Sequence, residues 1–505
     1  MAEPLAKLLS VPTPKRRWAQ FSLLSLVLVI VANMAQPSRS AQLVHDIGSD
    51  KVLLFDNAFL AESAGVRFKL HPARKTGERI LVPEHPWESA SLNWFSVLEQ
   101  GGKFRMWYEC YDVAGWDSSD DTSFCYAEST DGIHWIKPRL GLVEYCGSKE
   151  NNILFRQIGT AGARSRVHGT GVFLDPTGPP EARFKAVSQG LFRNVGEKPY
   201  WIAGMSSPDG LVWTRLADPI CHTFADSQYS AFWDEQLRRY VLYGRVGGRG
   251  RAIGRAISDR FGKFDPLTLV AQTEETDPPD SDLYNPACMR LPGTKGVYLM
   301  CPSLYQHGPD TLDIRLAMSR DGINWIWPER QTAFIPLGKP GDFDSGSLYM
   351  AQGCLAVGDE LWFFYSGSPL RHEDGTLGKL TQPANHRRYS RAVVLVDRLV
   401  SVTSGPEGGH LQTSPLKFVG TQLRLNIHVR SAGMVRVGLL DERGNAIPRR
   451  RTEDCRPLTC DNSQQSVEWT DGTDVSSWSG QPVRLRIEIE NAELFVFQFA
   501  DEVVR

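Results

Sequence analysis

The sequence predicts an all-β chain, a five-bladed β-propeller followed by a C-terminal β-sandwich, and three observations carry that prediction. A hairpin phrase recurs as Ser129-Thr130-Asp131-Gly132-Ile133-His134-Trp135, Ser207-Pro208-Asp209-Gly210-Leu211-Val212-Trp213 and Ser319-Arg320-Asp321-Gly322-Ile323-Asn324-Trp325. Short aromatic-rich strands surround the copies at roughly 50- to 80-residue intervals, the length of a four-stranded blade with its loops. No long helical period of apolar residues interrupts them anywhere in the 505 residues.

Each element has a local reason. Asp-Gly is a strong turn signal, because Gly accepts positive φ and Asp can bond its own backbone. The Trp that follows begins a return strand and supplies a large buried anchor. Segments 51–55 and 66–70 alternate weakly and read as leading strands, with the stretch near Phe55 expected to close the last blade. The first round then uses 92–97, 103–108, the hairpin and the edge at Pro138. The second uses 169–173 and 183–187 and ends at Trp213. In the third, 229–233 and 239–243 lead to a degenerate hairpin ending at Phe264. The fourth uses 286–289 and 297–300 and ends at Trp325. The fifth uses 347–350, 361–365 and 389–393. After the Gly- and Pro-containing break at 405–409, segments 423–429, 434–440, 483–489 and 494–499 alternate with period two, as half-buried antiparallel strands do. The expected organisation is residues 1–40 as signal peptide or anchor, 41–402 as propeller and 405–505 as sandwich.

The bulk properties narrow the function. A net charge of −2 argues against a strongly basic, nucleic-acid-binding role. Lys15-Arg16-Arg17 precedes an apolar run over 21–32 that is short for a membrane span. Small residues at Ser38 and Ser40 allow cleavage before Ala41, so export to the periplasm or the extracellular space is expected. An uncleaved N-terminal segment is the alternative, and the one expected contact with a membrane. Nine cysteines fit no zinc spacing and are expected to be mostly buried thiols; Cys110/Cys125, Cys288/Cys301 and Cys455/Cys460 are near enough in sequence or topology to bridge. Aromatics form 10% of the chain, which suits sugar stacking as well as core packing.

Candidate chemistry follows from the topology. The innermost strand of each blade starts at the rim of a central funnel, so polar residues just before those strands converge there. These are Glu88, His168, Asp226, Asp282 and Asp344. Residues after the second strands return to the same rim, bringing Glu109, Asp112, Arg245, Tyr305 and His307. Several carboxylates around one pit suit glycosidic bond cleavage, one as general acid and another as base or nucleophile. Asp226, Asp282, Asp344, Glu88 and Glu109 are the candidate acids, and His168, Arg245, Tyr284, Tyr305 and His307 the candidate substrate contacts. Any of the acids can instead bond loop amides. Asp131, Asp209 and Asp321 read as turn residues. Two histidines without a spacing pattern do not make a metal site, and no cofactor is expected.

These stretches together resemble the five-bladed β-propeller glycoside hydrolases of the invertase, levansucrase and arabinanase group, particularly an exported bacterial branch. The resemblance rests on Pro86-Trp87-Glu88, 103–108, 129–135, Asn151-Asn152-Ile153, Asp226-Ser227-Gln228, 319–325 and Asp344-Ser345-Gly346. It implies a propeller with a trailing sandwich and a carbohydrate substrate. The Asn-Asp-Pro-Asn-Gly nucleophile motif of invertases is absent, and His168 stands where arabinanases carry an acid on the second blade. The hairpins also lack the extra residue between Asp and Gly of a sialidase Asp-box. A phosphorylase, a non-catalytic carbohydrate-binding propeller and a protein-docking propeller remain alternatives.

Overall fold

A computed structural model describes residues 43–112, 122–156, 168–192, 200–224, 226–373 and 386–501. The expected export segment lies outside them. Among the described residues the only helical turns are three short 3-10 segments, Pro86–Glu88, Pro180–Ala182 and Ser476–Trp478, and the chain is otherwise all-β.

Five antiparallel meanders follow one another. The first joins Ser91–Gln100, Lys103–Tyr111, Thr122–Ser129 and Ile153–Phe155. In the second, Gly171–Leu174, Phe184–Leu191 and Tyr200–Ser207 carry Thr214–Arg215 and Cys221–Phe224 on the outer edge. The third runs through Ser230–Asp234, Arg239–Gly248, Gly250–Ser258 and Thr268–Ala271. The fourth comprises Cys288–Arg290, Tyr298–Met300 and Ala317–Ser319. The fifth comprises Ser347–Val357, Glu360–Ser368 and Arg388–Leu395, with Arg74–Lys75 as its outer strand. The five first strands touch in sequence, and Gln352 of the fifth pairs in parallel with Ser96 of the first, so the circuit closes.

The repeated hairpins explain how neighbouring meanders dock. In each copy the Asp carboxylate accepts the two backbone N–H groups that follow Gly, and the Ser hydroxyl accepts the Gly N–H. This pinned turn presents its Gly to an aromatic ring of the preceding meander. Trp107 donates to Gly210 O at 2.6 Å, and Tyr243 donates to Gly322 O at 2.7 Å. Gly132 faces Trp362 of the fifth meander so closely that a Cβ would stand 2.8 Å from the ring. The worn third copy docks on the second meander through Phe261, 5.8 Å from Phe173 between ring centroids.

The leading strands depart from expectation. Val52–Leu53 pairs with Pro482–Ala500, and Arg67–Leu70 pairs with Val400–Ser404 in the same ten-stranded sheet. Phe55 therefore does not close the fifth meander; Arg74–Lys75 and the Leu81–Tyr389 bridge do. The reason is burial: Val52 and Leu54 enter the C-terminal core with Leu425, Trp469 and Phe497. That sheet is built on two long strands, Gln422–Asp441 and Pro482–Ala500, paired along their length with irregularities near Asn426 and Val429 that let them bend. Arg320 ties the hairpin of the fourth meander to the leading segment through Asp56, with its guanidinium over Phe55. All nine cysteines are free, and Cys110 and Cys125 lie with their sulfurs 3.5 Å apart.

Candidate functional site

Side chains face alternately along Lys103–Tyr111, so Glu109 and Tyr111 share one face and Tyr108 the other. On the first face, Glu109 is fully buried and saturated with donors. It takes the Tyr111 hydroxyl at 2.6 Å, Asn93 Nδ2 at 3.2 Å and the Gly169 N–H at 2.9 Å. His168 Nδ1 lies 3.0 Å from the same carboxylate. Gly169 adopts φ +72°, and a Cβ there would come 1.9 Å from Ser227 O, so only glycine holds His168 at this corner.

The other imidazole nitrogen, Nε2, faces Asp226 Oδ1 at 3.5 Å, and Arg245 Nη1 donates to Asp226 Oδ2 at 2.6 Å. The result is a chain: buried Glu109, then His168, then the partly exposed Asp226 against Arg245. Ser227 holds φ +69° and, among the described residues, its buried hydroxyl has no partner, a strained corner beside Asp226. Burial raises the affinity of Asp226 for a proton, but His168 and Arg245 outweigh it and keep the group well below the usual carboxylate range. Burial likewise pushes Glu109 up, and His168, Tyr111 and the Gly169 N–H reverse the shift.

A second set comes from Ser281–Leu283 paired with Ser303–Gln306, in which Asp282 lies opposite Tyr305. Asp282 accepts Arg251 Nη1 at 2.5 Å and the Arg251 N–H at 3.0 Å, and His307 Nε2 is 3.0 Å away. Gly250 allows this docking: at φ +70°, a Cβ would strike Asp282. Burial opposes ionisation of Asp282, and Arg251 and His307 prevail, so its affinity for a proton is lowered. The Arg251 guanidinium lies over Tyr284 and Tyr305, 5.1 and 5.6 Å from the ring centroids. Trp94 joins the two sets, packing against His168 on one side and nearly parallel to Tyr284 on the other.

Glu109, His168, Asp226, Arg245, Asp282, Tyr284, Tyr305 and His307 thus lie together. Glu88 and Asp344 do not. Glu88 is fully buried on the opposite face of the first meander, accepting the Tyr108 hydroxyl at 2.6 Å and pairing with Lys137 at 2.9 Å. Asp344 has the same arrangement in the fifth meander, with Tyr365 at 2.9 Å and Lys75 at 2.7 Å. Asp344 thereby holds a second strand to the outer strand Arg74–Lys75, and Glu88 holds one to the segment just after the Glu128–Ile136 bridge. Asp112 carries Tyr145 and Arg156 at the edge of the first meander. Among the described residues, no three His, Cys, Asp or Glu side chains are grouped to hold a metal ion.

Residues missed from sequence include Trp94, Tyr111, Arg251, Tyr349, His372 and Arg387. Tyr111 was recoverable from its period-two relation to Glu109. Trp94 sits in an inner strand where core and site look alike. Tyr349 Oη is 2.6 Å from His372 Nδ1, and Arg387 lies over the Tyr349 ring. Neither His372 nor Arg387 belongs to a repeated phrase.

No family model matches the chain. Two Mycobacterium tuberculosis proteins, the uncharacterized proteins MT1551 and Rv1502, are each 28% identical over 177 residues, covering 33% of this chain and 50% of theirs. The chain therefore spans about half the length of the curated relatives it matches. Among solved structures, a glycoside hydrolase superposes with a TM-score of 0.45 at 15% identity, covering 64% of this chain and 92% of that one. A glycosyl hydrolase from Bacteroides ovatus gives 0.45 at 14% identity, covering 65% and 95%. A structure from work on the GH130 family of mannoside phosphorylases and glycoside hydrolases gives 0.40 at 16%, covering 69% and 97%.

Proposed function

We propose that the chain is an exported carbohydrate-active enzyme, a five-bladed propeller with a β-sandwich, that cleaves a glycosidic bond in the pit around Asp226. The observation that carries this reading is the Glu109–His168–Asp226 chain, closed by Arg245 and flanked by the Trp94 and Tyr284 rings. Asp226 is the one carboxylate of the three that is substantially open, at 36% side-chain exposure, and its lowered proton affinity keeps it ionised, with a carboxylate oxygen available as acceptor. It accepts a proton from water attacking the anomeric carbon while Arg245 fixes its orientation. His168, backed by Glu109, fixes the other oxygen.

None of the clustered carboxylates is shifted upward, so the proton for the leaving oxygen comes from elsewhere. His307 suits that role: its Nε2 rests on Asp282, its side chain is one-third exposed, and an imidazole oriented by a carboxylate is an established proton carrier. A non-catalytic binding pit is the second reading, favoured by the ion pairs already made by Asp226 and Asp282.

A panel of plant, algal and microbial glycans in ¹⁸O-labelled water, with and without phosphate, tests the proposal. Hydrolysis places the label on the released reducing end. Phosphate-dependent release as a sugar phosphate replaces hydrolysis with phosphorolysis, and binding without release supports the non-catalytic pit.

A further inference from the structure

Three arginines reach the cluster, and two are spent. Arg245 is paired with Asp226 and Arg251 with Asp282. Arg387 is different. Among the described residues it makes no ion pair, its buried Nη1 has no hydrogen-bond partner, and its remaining polar neighbours are neutral hydroxyls, Ser347 Oγ at a long 3.5 Å from Nη2 and that of Tyr349. Arg330 and Arg391, also partly enclosed, each hold a carboxylate by two nitrogens. A guanidinium removed from water without a counter-charge is costly, and a bound anion would relieve that cost.

The surroundings define the anion. The Arg387 guanidinium lies over Tyr349, 4.7 Å from the ring centroid. Tyr284 meets Tyr349 and His372 edge-on at 5.6 and 5.1 Å, and Trp94 packs on both tyrosines. An aromatic wall beside one unpaired guanidinium matches a ring that bears a carboxylate: the wall takes the apolar face of the sugar, and the planar fork takes two oxygens. Inorganic phosphate is the other source of oxyanions. A dianion would find only one uncompensated cation here, with the Asp310 carboxylate close by on the far side of Tyr305.

We propose that Arg387 binds the carboxylate of an acidic sugar, so that the pit takes a uronate-bearing saccharide in preference to a neutral one. This rests on the carbohydrate reading above and adds the substrate class to it.

The test titrates the full chain with glucuronate, galacturonate, glucose, galactose and inorganic phosphate, by calorimetry or ligand-observed NMR. A charge-assisted pair predicts that at least one uronate binds roughly tenfold to a hundredfold more tightly than its neutral parent. Arg387→Gln then lowers the uronate to the affinity of the neutral sugar, and Arg387→Lys restores part of the preference. The wild-type comparison stands even if a variant fails to fold. Neutral sugars that bind as well as uronates overturn this inference alone. Phosphate binding that depends on Arg387, with no uronate preference, also overturns it. Failure of every sugar to bind overturns the carbohydrate reading itself.

Discussion

Replacing Glu88 by Gln should damage the fold and leave the chemistry intact. The carboxylate is fully buried and holds Lys137, whose side chain is only 5% exposed, at 2.9 Å. It also accepts the backbone N–H groups of Glu84 and His85 at 2.8 and 3.2 Å. These three donors share Oε2, so an amide that keeps its oxygen on the Tyr108 hydroxyl turns its NH₂ group toward both N–H donors and the ammonium. Removing one member of a buried ion pair costs roughly 3–5 kcal/mol. Glu84, 3.2 Å from Lys137 but largely exposed, offsets a little of that, so the low end, about 3 kcal/mol, is expected. Denaturant unfolding of Glu88→Gln, Lys137→Met and the double variant measures it. The double variant should lose less than the sum of the singles, because it leaves no unpaired ammonium. Additive losses, or loss of glycan cleavage at unchanged stability, would refute the structural role given to Glu88.

Three other outcomes follow from the same reasoning. Gly210→Ala should destabilise by about 2 kcal/mol, because φ is +77° and a Cβ would meet Trp107 at 2.7 Å; Gly141→Ala, at φ +69° in open space, should cost about 1 kcal/mol, and unfolding midpoints compare the two. His372 should make stability pH-dependent. Burial, reinforced by Arg387 and Arg251, lowers its pKa to about 4, against about 6.5 when unfolded. The unfolded chain therefore binds a proton that the folded chain refuses, so the contribution is complete above about 6.5 and is lost as pH falls toward about 4; His372→Gln should flatten that slope in unfolding measurements. Asp282→Asn should loosen the docked Gly250–Arg251 tip and be read as faster amide hydrogen exchange there, since it removes the charge and leaves one acceptor oxygen where the Arg251 side chain and its N–H now use two.

Much of the architecture was legible because the hairpin phrase is local. Ser, Asp and Gly close each turn through their own backbone, and the phrase marks the register wherever it occurs. Partnership across the chain was not legible. The 51–55 segment has the same alternating texture whether it closes a meander or joins the C-terminal sheet, and only the core around Leu425 and Phe497 decides. The candidate site divides in the same way. Positions just before inner strands pick out His168, Asp226 and Asp282, whose side chains the fold brings into one neighbourhood. Glu88 and Asp344 obey the same positional rule, but Tyr–Lys pairs capture them on the other face. Those partners come from different strands, so no spacing announces them. Arg387 was silent for the converse reason: among the described residues no carboxylate pairs with it, and no spacing announces such an absence.

The central claim concerns which carboxylate does the chemistry, and parallel kinetics of Asp226→Asn and Asp344→Asn on whichever glycan the wild-type chain cleaves test it most directly. The account predicts that Asp226→Asn lowers kcat/KM by roughly 10²- to 10⁴-fold with a smaller loss of stability than Asp344→Asn, whose carboxylate is the more deeply buried, whereas Asp344→Asn leaves turnover near wild type. Undiminished turnover in Asp226→Asn, or its loss in a stably folded Asp344→Asn, would contradict it.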